Sequence, residues 1–176
     1  MLFFYYSLWY IYIGDKMKKI SIGFASDHRG YVLKEKLIDY FKNNENIASI
    51  TDCGTDSETS CDYPDFAFKL GKVIQTNDID FGIAICGSGI GISIALNKMK
   101  GVYCAKVNNA LEARYTRLDN NTNVVAFSGD TNFEEAKKIV DTFINTDFSN
   151  LERHQKRIDK IKKIEENLWQ SLFYMY

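Results

Sequence analysis

Only one proline and two histidines occur among the 176 residues, and the four cysteines form no Cys-x-x-Cys pair. With Pro64 alone and no repeated or low-complexity stretch, nothing reads as a linker between domains. Cys53, Cys61, Cys86 and Cys104 fall in different predicted elements, which suits reduced thiols in a cytoplasm rather than a zinc site or a disulfide frame. All four are expected to be free. A formal charge of −1 gives no general attraction for nucleic acid or an anionic membrane, so any phosphate must be held by a few placed cations.

The hydrophobic share of 45% and the length suit one compact domain with a sizeable core. Residues 1–16 stand apart: Leu2 to Ile13 are aromatic and uncharged. They lack the basic start and cleavage site of a secretory signal, and fall short of the roughly 20 apolar residues of a membrane span. Met17-Lys18-Lys19-Ile20 opens the first predicted strand, so the domain is expected to cover 17–176. Residues 1–16 then read as an appended segment behind an upstream start codon, or as an arm packed on another subunit.

From Met17 onward β-rich runs alternate with helical stretches. Strands are predicted at 19–25, 48–53, 81–86, 102–107 and 124–128, with helices between them. In Tyr31 to Phe41 the residues Val32, Leu33, Leu37, Tyr40 and Phe41 form one apolar stripe. The alternation predicts an α/β fold: a Rossmann-like three-layer sandwich around a five-stranded parallel sheet. Right-handed crossovers point every strand's C-terminal end at one edge, where ligands bind. That edge gathers Asp27-His28, Gly54-Thr55, Cys86 to Gly91 and Asn108-Asn109.

The richest segment is Phe81 to Cys86 followed by Gly87-Ser88-Gly89-Ile90-Gly91. Glycines between a strand and a helix let backbone amides converge on an anion, and a thiol placed there is stabilised as thiolate. The sixth position from Gly87 is Ile92, which breaks the dinucleotide pattern. No Gly-Lys-Ser/Thr follows, so a nucleotide-phosphate loop fails too. Two readings stay open: anionic small-molecule chemistry, or tight packing of loop on sheet with Cys86 as a small buried hydrophobe. Asp27 and His28 could reach the same crevice, although an Asp there also suits a helix cap. Asp62-Tyr63-Pro64-Asp65 reads as a helix start, with Pro64 in the first turn. Near the C-terminus, Arg153 and Arg157 lie one turn apart on a long predicted helix, fit either for a phosphate or for solvent. Beyond them Ile158, Ile161, Ile164, Leu168 and Leu172 form a stripe that must pack on the domain or on another subunit. The tail residues Trp169, Leu172, Phe173, Tyr174 and Tyr176 suggest a patch covered by another chain.

Taken in order, Asp27-His28-x-Gly30, Gly54-Thr55, Asp62-Tyr63-Pro64, Cys86 through Asn97-Lys98, Asn120-x-Thr-Asn123-Val and Arg153-His154-Gln-x-Arg157 resemble type B ribose-5-phosphate isomerase, from Met17 to about Glu165. The resemblance implies a metal-free, cofactor-free interconversion of ribose 5-phosphate and ribulose 5-phosphate through an enediolate. It implies Cys86 as the base, assisted by Ser88, with the amides of Gly87, Gly89 and Gly91 around the enediolate oxygen. Asp27 would handle hydroxyl protons, Tyr63 and Asn120 orient the sugar, and His28, Arg153 and Arg157 hold the phosphate. It further implies a cytoplasmic homodimer or tetramer, with the C-terminal helix at the dimer contact and the site built across it. Two departures stand out. Asp119 replaces a histidine that many members use to open the sugar ring, leaving that step to His154, to Asp119 or to spontaneously opened sugar, or leaving ring opening lost altogether. Asp130 occupies a place where the family often has an arginine. Because the family also contains galactose- and allose-6-phosphate isomerases, a six-carbon sugar phosphate is an alternative substrate, and a non-catalytic sugar-phosphate-binding scaffold is a rival from another class.

Overall fold

The computed structural model describes residues 19–173, with side chains to 168. The expectations for residues 1–16, for a start at Met17 and for Trp169, Leu172, Phe173, Tyr174 and Tyr176 lie outside these. Five strands, β1 (Ile20–Ser26), β2 (Ile47–Asp52), β3 (Phe81–Cys86), β4 (Cys104–Lys106) and β5 (Val124–Ser128), form one sheet in the order β2-β1-β3-β5-β4. Every pairing is parallel. Helices α1 (Tyr31–Phe41), α2 (Tyr63–Gln75), α3 (Ile90–Leu96), α4 (Ala110–Asn120) and α5 (Phe133–Ile144) connect or follow the strands, and α6 (Glu152–Phe173) closes the chain. The fourth strand is shorter than the predicted 102–107, because Val102 and Val107 flank its three ladder residues without extending the pairing.

Side-chain alternation along the strands sorts the core into two layers. Phe24, Ile83, Ile85, Val125 and Phe127 face α1, α4 and α5, packing on Leu33, Leu37, Phe41, Ile139 and Phe143. The other face carries small residues, Ala25, Ala84, Cys86 and Ala126, under Ala67 and Leu70 of α2 and Ile92 and Leu96 of α3. Small side chains let α2 and α3 approach the sheet closely. In α1 the stripe is narrower than expected: Leu33, Leu37 and Phe41 are buried, whereas Val32 and Tyr40 are exposed. The place beside Leu33 and Leu37 is taken by Lys34, whose side chain is fully buried while its ammonium reaches Asp52 and Glu35. Burial alone would lower the Lys34 pKa; hydrogen bonds to Asp52 and Glu35, with their charges, outweigh it and hold it raised. No helix among the described residues is long and apolar enough to cross a membrane.

Candidate active site

At the C-terminal edge, β3 ends with Cys86, and the chain turns through Gly87 to Gly91 into α3. Gly89 carries φ +76°, and a methyl group placed on it would lie 2.7 Å from the backbone carbon of Phe127. Only glycine fits that left-handed corner pressed against β5. The Ser88 hydroxyl accepts the Ile90 amide at 3.2 Å. Ser128 donates its hydroxyl to the Gly87 carbonyl at 2.7 Å, and the Gly129 amide donates to the Cys86 carbonyl at 2.8 Å. The strand end and its turn are thus clasped from β5, which fixes the loop without long side chains.

Cys86 is 3% exposed and occupies the small-residue row of the sheet. Its side chain is a core position, as the packing reading of the sequence has it, and what ties it to the ligand edge is its place as the last residue of β3 before the glycine turn. Cys104 lies near it, and burial together with that neighbour pushes the Cys104 thiol pKa far up. Burial also raises the Cys53 thiol, with the Asp52 carboxylate adding to it. All four cysteines are free.

Around the loop, β1 delivers Asp27 and His28. Asp27 is 6% exposed, and its Oδ1 accepts the amides of Arg29 at 2.9 Å and Gly30 at 3.1 Å. It therefore shapes the turn into α1, whose N-cap position is Gly30. The His28 Nδ1 accepts the Cys61 amide at 3.2 Å. The same Nδ1 lies 3.3 Å from the Cys61 carbonyl, so the Cys61 backbone holds the ring through this one nitrogen. Tyr63, the first residue of α2, leans over Gly91: a methyl there would meet the ring carbon Cζ at 2.6 Å. Pro64 sits in the first helical turn as expected, while Asp62 holds the N-cap position without a side-chain cap bond.

Asp119, Asn120, Arg153, His154 and Arg157 do not join this group within one chain. α4 starts after the C-terminal end of β4 and runs back beside the sheet, so its last residues, Asp119 and Asn120, reach the opposite edge, just before β5. There Val124 pairs with Gly82, while Cys86 pairs with Ser128. Four residue steps along β3, about 13 Å, separate the two levels. At this second edge His154 is 5% exposed, and its Nε2 makes no hydrogen bond but lies 3.6 Å from Asp119 Oδ1. Arg153 and Arg157 are exposed one turn apart. Of the α6 stripe, Ile158 is buried on the domain, whereas Ile161, Ile164 and Leu168 are more than half exposed. They line a groove of about 400 Å³ with Val102, Tyr103 and Asn97.

Sequence reasoning missed the ties that hold this edge. Arg117 is buried with its guanidinium carbon 4.7 Å from the Phe81 ring centre, and it donates to the carbonyls of Thr122 and Thr146 and to Asn121 Oδ1. Desolvation lowers its pKa. Asn97 exchanges two hydrogen bonds with the Cys104 backbone, and Asn123 holds Tyr103 and Gly101. A buried cation or amide follows no hydrophobic period, so none of these ties shows in the apolar pattern of the sequence.

Fold and edges together define a class: an α/β protein with a doubly covered parallel sheet and a glycine-rich turn at the C-terminal end of its third strand. Within that class, the chain belongs to the ribose/galactose isomerase family, whose model matches residues 22–161. It is 37% identical over 151 residues to ribose-5-phosphate isomerase B of Escherichia coli K12, covering 85% of this chain and 98% of that protein. Among solved structures, ribose-5-phosphate isomerase B of Clostridium thermocellum superposes with a TM-score of 0.80 at 38% identity, covering 85% of this chain and 99% of that one. The Mycoplasma genitalium enzyme, solved with ribulose 5-phosphate bound, gives 0.76 at 40% identity, covering 83% and 96%.

Proposed function

We propose that this chain is an aldose-ketose isomerase that interconverts ribose 5-phosphate and ribulose 5-phosphate, acting in the cytoplasm in the non-oxidative part of pentose phosphate metabolism. The observation that carries this reading is the similarity, over 83% of this chain, to a structure holding ribulose 5-phosphate. The Cys86 loop lies within the residues 22–161 that the family model matches. As thiolate, Cys86 takes the proton from carbon 2 of the open-chain aldose, the electron pair forms the enediol double bond, and the same proton returns to carbon 1. Amides of Gly87, Gly89 and Gly91 hold the developing negative oxygen, with Ser88 assisting the thiol. Asp27 exchanges hydroxyl protons, and Tyr63 orients the sugar.

The second group, Asn120, Arg153, Arg157 and the Asp119–His154 pair, sits at the far edge of its own sheet. It reaches a Cys86 loop only if that loop belongs to another copy. This supports a homodimer, or a tetramer of such dimers, with the exposed Ile161, Ile164 and Leu168 at the contact. His154 beside Asp119 replaces the single ring-opening histidine of similar enzymes, and His28 with the two arginines holds the phosphate.

One observation favours the rival reading of a non-catalytic scaffold: the small exposure of Cys86. A coupled assay with ribose 5-phosphate separates them. Cys86→Ala should lower turnover about 10²- to 10⁴-fold, the span of a lost general base, while the sugar phosphate still binds. Unchanged turnover refutes the thiol base. Asp119→His should speed reaction from the ring-closed sugar if ring opening limits the rate. A panel with allose and galactose 6-phosphates decides the sugar.

A further inference from the structure

One guanidinium at the Cys86 edge has no part in the scheme above. Arg29 follows His28, and its amide is bound by Asp27. Its side chain crosses the crevice edge to lie on Gly87: a methyl group on that glycine would stand 2.6 Å from Nη1 and 2.9 Å from Cζ. At the far end Nη2 donates to Asp130 Oδ2 at 3.2 Å. Asp130 is itself anchored, its amide donating to the Ser128 hydroxyl, which in turn donates to the Gly87 carbonyl. Both partners are exposed, at 55% and 76% of their side chains.

This places a planar cation directly over the first residue of the glycine turn, on the residue that follows His28 in the chain. The hold on it is weak, because an exposed ion pair contributes little. A guanidinium has five N–H donors, and binding one carboxylate oxygen leaves capacity for a second anion. A phosphate dianion accepts from it more strongly, through charge-assisted paired bonds. The tether keeps Arg29 at the loop until such an anion arrives.

We propose that Arg29 is a phosphate-contacting residue of the crevice, supplied by the same chain as Cys86, and that Asp130 is its positioning residue. The inference rests on the reading of the crevice as a sugar-phosphate site. It assigns Arg29 to the phosphate rather than to the reacting carbons, because it neighbours His28. The pair also explains how a carboxylate at position 130 is compatible with an anion site: its charge is spent on steering the guanidinium.

The test uses the full chain and inorganic phosphate as probe, with affinity measured by calorimetry and by competitive inhibition. Arg29→Gln should weaken phosphate binding and raise KM by about tenfold, kcat moving far less, as for a contact made equally in ground and transition states. Arg29→Lys should recover part of the loss. The exchange Arg29→Asp with Asp130→Arg should restore phosphate affinity, since a guanidinium again faces the loop. Unchanged phosphate affinity in Arg29→Gln overturns the proposal, as does a fall in kcat and thermal stability with phosphate binding intact, which marks Arg29 as a loop brace. If the wild type binds phosphate through Arg29 yet turns over no sugar phosphate, the isomerase reading fails and the Arg29 assignment stands.

Discussion

The two ends of the sheet are built in opposite ways. At the C-terminal edge the Cys86 loop is made of glycines, backbone amides and hydroxyls, held by β5 through bonds of 2.7–2.8 Å. At the other edge, long side chains do the holding: Arg117 stacked on Phe81 and bonded to the carbonyls of Thr122 and Thr146, and the Tyr103 hydroxyl donating to Glu165 Oε2 at 3.2 Å. A backbone cradle is rigid but indifferent to what fills it, whereas charged side chains discriminate and can be carried to a neighbour on a projecting helix. Under the proposed function, each edge is half a site, completed by the other half of a second copy.

The sharpest way to break this comparison is complementation. Cys86→Ala and a double Arg153→Ala/Arg157→Ala variant should each fall at least about 100-fold in kcat/KM. After the two are mixed under conditions that exchange subunits, activity should return to about a quarter of wild type, since half of randomly paired dimers carry one intact composite site. No recovery upon demonstrated exchange would place both halves within one chain and overturn the two-copy site.

A smaller effect sharpens the backbone side. Gly89→Ala forces a side chain into a left-handed corner against β5 and should destabilise the protein by about 2 kcal/mol or more, read from denaturant unfolding. By contrast, Ser88→Ala removes one exposed hydroxyl bond and should cost about 1 kcal/mol or less. Equal costs would mean that the turn is not held by its backbone.

The smallest effect probes the side-chain edge. Burial, with Glu165 adding to it, raises the Tyr103 pKa from 10.0 to about 12. The folded state therefore prefers the neutral phenol, and its contribution is fully present below pH 10 and lost as pH rises toward 12. Wild type should lose stability across that window more steeply than Tyr103→Phe, which at neutral pH gives up only the Glu165 hydrogen bond, about 1 kcal/mol. Parallel curves would remove Tyr103 as a pH-sensitive tie of α6.

Much of the molecule was legible because it follows periods. Alternation gave the five strands, Gly87-Ser88-Gly89-Ile90-Gly91 marked the loop, and Pro64 marked the start of α2. Val32 and Tyr40 were misjudged because a stripe read on an isolated helix does not show how wide a face the sheet will cover. Lys34 and Arg117 stayed hidden for a related reason: a buried cation is tolerated only where carboxylates, carbonyls or rings converge from distant segments. That convergence is tertiary.

By itself, then, the amino-acid order determined the parallel α/β sandwich, the edge at which ligands collect and the glycine turn that follows Cys86, since each depends on local backbone preference or on short repeating patterns. Only the folded arrangement decided that Cys86 lies 3% exposed in a row of alanines, that Arg29 rests on Gly87 beside Asp130, and that His154 faces Asp119 at the opposite end of the sheet. Those relations join residues 35 to 101 positions apart, and no local rule of the chain fixes distances between segments that meet only when the core closes.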